Sequence, residues 1–187
     1  MGKQVSAEAQ YIIVNELGAF LRCGNSVGLH AGECIAVSIA ALFDAESQNI
    51  VLLERSSAIT DLPSKIALLA GKLDAGDAAA EILKIGEELP RAVPFLAMVR
   101  EISEEIGLVA KIDRLRLVDK FPLPGRERFF FLFLYFLRGD EVKKIIVRKE
   151  ENTRILPMSQ AQFANVQNVG DVLGLKKALL EQLLFSS

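Results

Sequence analysis

The sequence predicts one mixed domain of strands, hairpins and helices, and three observations carry that prediction. Apolar residues make up 51% of the 187 positions and charged residues 25%, a globular composition with enough chain for a sizeable core. Two apolar runs, IAVSIAALF (35–43) and FFFLFLYFL (129–137), are long enough for buried strands and far too short to cross a bilayer as helices. Between them, Phe95, Val99, Ile102 and Ile106 recur at helical spacing and mark the buried face of a helix over 94–106.

The elements follow in order. Ile13, Leu17, Phe20 and Leu21 predict a helix within 5–22, part of a helical extension covering about residues 1–30. Ile35–Phe43 reads as the first strong strand, DAESQN as a turn, and Ile50–Leu53 as the hairpin partner, ending in ERSS. KIALLAGKLDAGD (65–77) starts apolar and breaks into two glycines and two aspartates. Residues 78–92 read as helical up to Pro90. Pro94 suits a first helical turn, and Gly107, backed by Leu108, suits a helix C-terminus. RLRLVDKF, the turn PLPGRER and the apolar strand follow. After GDE comes a weaker strand at Ile145–Arg148, and then an amphipathic helix over 171–184 opened by Asp171. Nothing suggests a repeat or a linker, so residues 1–187 are expected to form one domain.

Composition narrows function. With a net charge of −2 there is no excess of basic residues to attract a nucleic-acid backbone over a broad surface, which counts against a dedicated nucleic-acid binder. Cys23 and Cys34 are the only cysteines and His30 the only histidine, which disfavours disulfide scaffolds and histidine–cysteine zinc sites. The opening MGKQVSAEAQ lacks the basic-then-apolar order of a signal peptide, so a soluble, cytoplasmic protein without membrane contacts is expected.

The stretch that carries chemistry is REISEEIGL (100–108). Glu101, Glu104 and Glu105 are related as i, i+3 and i+4, opposite the apolar stripe. Carboxylates so close repel one another unless a cation lies among them, and oxygen donors suit a hard divalent ion. A solvated helix face with an Arg100–Glu104 pair is the plainer alternative.

These residues resemble the second half of the Nudix box, G-x5-E-x7-R-E-U-x-E-E-x-G-U with U aliphatic. Arg100, Glu101, Ile102, Glu104, Glu105, Gly107 and Leu108 fill every defined position of that half. The first half departs from it. Counting back without gaps sets Gly86 on the glycine but Ala92 on the glutamate. Alternatively AGKLDAGD sets Gly71 and Asp77 there, with residues 78–99 standing where the family has seven, an insertion of 15. The second register is preferred because it places glycines after an apolar run and keeps an acid.

The resemblance implies the Nudix fold, a mixed sheet between helices in an α–β–α sandwich. It implies Mg²⁺- or Mn²⁺-dependent hydrolysis of a nucleoside diphosphate linked to another moiety, such as ADP-ribose or a nucleotide sugar. Metal ligands would be Glu101, Glu104, Glu105 and a carbonyl at Gly71. Glu104 and Glu105 would be catalytic, with Arg100 holding a glutamate in place. The base would be Glu105 or a downstream glutamate: Glu127, Glu150 or Glu151. Pro122, or Pro124-Gly125 followed by Glu127, loosely matches a segment of ADP-ribose-cleaving members, making Arg126 and Glu127 substrate candidates. A triphosphate pyrophosphatase and a non-catalytic nucleotide-binding or regulatory protein are the alternatives. The expected partner is a small nucleotide, and a homodimer is common in the family. An extra helix at 78–92 beside the site would narrow the pocket or act as a lid.

Overall fold

A computed structural model describes residues 9–185 apart from residues 61, 80, 124 and 149. Among the described residues nine strands form one sheet: β1 Tyr11–Asn15, β2 Phe20–Gly24, β3 Glu33–Asp44, β4 Asn49–Arg55, β5 Ile66–Ala67, β6 Leu69–Lys72, β7 Leu115–Pro122, β8 Arg128–Leu137 and β9 Asn152–Met158. The helices are α1 Ala92–Ile106, α2 Glu141–Lys144, α3 Gln160–Ala164 and α4 Asp171–Phe185.

β3 organises the sheet. β8 runs parallel along it from Ile35–Arg128 to Asp44–Leu137. The antiparallel partners β1, β6 and β4 share its other edge in turn, at 33–35, 37–40 and 42–44. A strand buried on both faces carries apolar side chains at every position, which is why these two runs lack alternation. Cys34, Ala36, Ala40 and Leu42 pack with α1, whereas Ile35, Val37, Ile39 and Phe43 pack with α3 and α4. The result is a mixed sheet between helices, as expected. Among the described residues no helix is long and apolar enough to cross a membrane.

Three expectations are corrected. Residues 5–8 lie outside the described residues, and the rest of the expected N-terminal helix is the β1–β2 hairpin. Tyr11-Ile12-Ile13-Val14 is rich in β-branched residues. Asn15 Oδ1 then accepts the Leu17 and Ala19 amides, and Gly18 turns the chain at φ 84°.

The helix expected at 78–92 is also absent. A 3₁₀ turn ends at Ala78, and the described residues from 81 to Arg91 form no helix. Its backbone bonds to the hairpin instead: Gly86 N–H donates to Phe20 O at 2.8 Å, and Phe20 N–H to Glu87 O at 2.8 Å. Lys120 pairs with Glu88 beyond that.

Residues 145–148, finally, form no strand. Their amides serve the carbonyls at the end of α1, Ile146 N–H to Ile106 O at 3.0 Å and Arg148 N–H to Glu105 O at 2.8 Å. Terminal helix carbonyls need such donors. A strand does form a few residues later, β9, which pairs with the edge of β4.

Candidate active site

α1 is fixed at both ends. Ser38 Oγ, buried in β3, donates to Pro94 O at 2.8 Å and anchors the first turn on the sheet. Gly107 ends the helix at φ 68°, a left-handed geometry that glycine adopts without strain. Val93, Ala97, Met98, Ile102 and Ile106 fill the core beneath.

The carboxylate row therefore points where β6, Arg148 and Asn152 meet the helix. This corrects the expectation of an exposed acidic face. Glu104 is exposed, but Glu101 and Glu105 are buried at 8% and 2% exposure. Gly71 lies so close to Glu101 that a Cβ there would overlap the carboxylate, so a larger residue would displace Glu101 from its present position.

The cation among the carboxylates in this structure is Arg100. Its Nε and Nη2 donate to the two Asp77 oxygens, each at 3.0 Å, and Nη2 also reaches Lys72 O at 3.0 Å. Its Nη1 donates to Glu101 at 2.6 Å and to Glu104 at 3.2 Å. Burial opposes the Arg100 charge, yet the Asp77 fork and the nearby carboxylates prevail and push its pKa above the ordinary arginine value. Asp77 is itself held, accepting the Asp74 amide at 2.9 Å while Asp74 Oδ1 accepts the Gly76 amide at 2.8 Å.

The far end of the row differs. Glu105 Oε2 accepts a hydrogen bond from Asn152 Nδ2 at 3.1 Å, and Asn152 is wholly buried. Burial first, then the Glu151 and Glu101 charges, push the Glu105 pKa up to about 8. Burial raises Glu101 as well, opposed by Arg100.

Of the downstream glutamates, Glu151 is brought to the site and lines the cavity. Glu127 is exposed at the turn before β8, and neither it nor Glu150 lines the cavity. Arg126 does line it, paired to Asp171 at the start of α4 at 3.0 Å. Pro124 lies outside the described residues. Among the described residues, none from 78–92 lines the cavity, where a helix that narrows the pocket or acts as a lid was expected. Asn152 and Arg55 were missed by sequence reasoning. A lone Asn or Arg in a polar stretch carries no periodic or motif signal.

The cavity measures about 430 Å³. At one end stand Glu101, Glu104, Glu105 and Gly71. Toward α4, on the other side of the sheet, Leu68, Leu123, Phe130 and Leu173 form apolar walls.

No family model and no curated protein matches the sequence. Solved structures do match. A Deinococcus radiodurans protein is 15% identical with TM-score 0.62, over 94% of this chain and 99% of its own. The MutT protein of Methanosarcina mazei is 15% identical with TM-score 0.54, over 80% and 94%. The NUDIX domain of Shewanella oneidensis NrtR, solved with ADP ribose, is 13% identical with TM-score 0.58, over 86% and 94%. The chain has the Nudix fold. The box-like stretch 100–108 thus lies on and just beyond the helix α1 of a Nudix-type sandwich.

The donors suit a hard cation: they are all oxygens, and Gly71 leaves room for the Glu101 carboxylate. Among the described residues, however, no three carboxylate, imidazole or thiol side chains are grouped to enclose an ion. Arg100 holds Glu101 and Glu104 instead.

Proposed function

We propose that this protein is a divalent-metal-dependent hydrolase that splits the diphosphate of a nucleoside diphosphate linked to a second moiety, ADP-ribose or a nucleotide sugar. One observation carries the reading: a single cavity joins the Glu101–Glu104–Glu105 row and Gly71 to an apolar chamber large enough for a base or sugar. The Asp77–Arg100 fork and the packing of Gly71 on Glu101 support the register in which Gly71 and Asp77 stand in the first half of the box. The Nudix domain holding ADP ribose supports the ligand class.

Glu101, Glu104, Glu105 and the Gly71 carbonyl would hold Mg²⁺ or Mn²⁺. When bound, the ion would neutralise phosphate charge and acidify the attacking water. The chain's own groups do the rest. Arg100 keeps Glu101 and Glu104 aligned, and Asp77 keeps Arg100 aligned. Glu105 and Glu151 stand in the cavity as acceptors for the water proton. Arg126 lies on the wall where a second phosphate or sugar would rest.

A second reading has an observation behind it. Arg100 already pairs with two of the three glutamates, which is also compatible with a protein that binds nucleotides without turnover. Incubation with Mg²⁺ and a panel of ADP-ribose, nucleotide sugars and nucleoside triphosphates, with products separated by chromatography, decides among these. Release of AMP from ADP-ribose is expected. Pyrophosphate release from triphosphates alone would point to a pyrophosphatase, the activity named for an E. coli neighbour of TM-score 0.51 that acts on dihydroneopterin triphosphate. Binding without products would establish the non-catalytic reading.

A further inference from the structure

Five cations line the cavity among the described residues: Arg55, Lys72, Arg100, Arg126 and Arg128. Arg100 is spent on Asp77, Glu101, Glu104 and the Lys72 carbonyl. Arg126 is paired with Asp171 at 3.0 Å. The Lys72 ammonium lies 4.5 Å over the Tyr11 ring, and both Lys72 and Arg128 have further partners.

Arg55 is held differently. It ends β4, with its side chain 19% exposed. Among the described residues its Nη1 alone is engaged, by Asn152 Oδ1 at 3.4 Å and by Glu151 at 4.0 Å, both at the outer limit of such contacts. None of its nitrogens is both fully buried and unpaired, and the residue lines the cavity. The same Asn152 amide that accepts from Arg55 donates to Glu105, which places Arg55 one side chain away from the carboxylate row. A guanidinium largely withdrawn from water, with donors to spare, favours an anion whose oxygens match its planar fork.

We propose that Arg55 is a substrate-contacting residue, donating the unengaged side of its fork to oxygens of a diphosphate in the cavity, with Asn152 and Glu151 as its positioning residues. The assignment rests on the diphosphate-hydrolase reading for its ligand class but not on turnover. Its chemistry is the complement of the glutamate row: the row needs a cation between itself and phosphate, whereas Arg55 addresses phosphate directly.

The test uses imidodiphosphate as probe, with Arg55→Gln and Arg55→Lys, in Mg²⁺ by titration calorimetry. Mn²⁺ affinity by electron paramagnetic resonance and the thermal midpoint are read in parallel. Arg55→Gln is expected to weaken probe binding by roughly 10- to 100-fold, the range for losing hydrogen bonds to a charged group. Mn²⁺ affinity and thermal midpoint should hold. Arg55→Lys should recover only part, because an ammonium lacks the fork. Unchanged probe affinity in Arg55→Gln would overturn the proposal. So would a fall in Mn²⁺ affinity or thermal midpoint that accounts for the lost binding, since Arg55 would then only brace Asn152. Arg55-dependent probe binding without any Mg²⁺-dependent hydrolysis of the nucleotide panel would leave Arg55 assigned and remove the hydrolase reading.

Discussion

The two ends of the carboxylate row are held by opposite means. At the Asp77 end, a guanidinium makes a two-pronged ionic contact and adds bonds to Glu101, Glu104 and a backbone carbonyl. At the Asn152 end, Glu105 receives one neutral amide bond and is left with a pKa near 8. The first end is a clamp, in which one guanidinium is shared among Asp77, Glu101 and Glu104, and it fixes the Gly71 loop against α1. The second holds a carboxylate whose ionisation costs free energy until a cation arrives. A site that needs rigid geometry and an ion-responsive charge obtains them by dividing the tasks along one helix.

The largest expected effect removes the row's charge. Glu104→Gln combined with Glu105→Gln keeps shape and should lower hydrolysis of the best nucleotide substrate by at least roughly 10²–10³-fold, the scale of losing preorganised electrostatic groups. Burial of Glu105 makes its neutral replacement favourable to folding, so the metal-free variant should melt no lower than wild type. Turnover at the wild-type rate in Mg²⁺ would show that the row is not the catalytic element.

Breaking the clamp comes next. Arg100→Met leaves Asp77 buried and unanswered, a change worth about 3 kcal/mol or more in comparable buried pairs. For a chain of this size that corresponds to a fall in thermal midpoint of roughly 6–12 °C. Asp77→Asn should cost less, since an amide still accepts one hydrogen bond. Equal midpoints for Arg100→Met and wild type in a thermal melt would mean that the loop is held by other contacts.

The Asn152 end should speak through pH. Glu105 has a folded pKa of about 8 against an ordinary 4.5. A folded value above the unfolded one means that the unfolded chain binds fewer protons across the interval, so stability falls as pH rises. The contribution is fully present below about 4.5 and is lost as pH rises through about 8. Metal-free protein should thus melt progressively lower from pH 5 to pH 8, and Glu105→Gln should flatten that slope. A melting profile that stays flat in wild type would contradict the burial argument.

The clamp was half legible in the sequence. Period 3.6 placed α1, and the spacing of Glu101, Glu104 and Glu105 placed them on one side of it. What periodicity could not supply was what covers that side, because β6, Arg148 and Asn152 arrive from elsewhere in the chain. The two long strands were readable because burial on both faces demands continuous apolar residues. The N-terminal hairpin was misread because Ile13, Leu17, Phe20 and Leu21 happen to fit a helical period, while the β-branched run and the Asn15–Gly18 turn decide otherwise. Residues 78–92 failed for a tertiary reason, since their backbone bonds to the hairpin and leaves Ile82 and Ile85 exposed. Asn152 was invisible: nothing local distinguishes it from an ordinary surface asparagine.

The smallest expected effect tests a contact that belongs to neither end. Arg126 and Asp171 tie the turn before β8 to the start of α4, and each is about half exposed, at 47% and 50%. Exposed pairs of this kind are worth about 0–1 kcal/mol, so Arg126→Ala should scarcely move the thermal midpoint. Its consequence should lie in recognition. Arg126 lines the cavity, whereas its neighbour Glu127 does not, although both were substrate candidates. Arg126→Ala should therefore raise KM for ADP-ribose severalfold with kcat nearly unchanged, because binding lost equally in ground and transition states leaves kcat alone. Glu127→Ala, one residue away, should change neither constant. If the two variants behave alike, or if Glu127→Ala carries the larger effect, the turn approaches the substrate from a different side than its Asp171 pairing indicates. The cavity would then be read by the clamp and the Asn152 end alone.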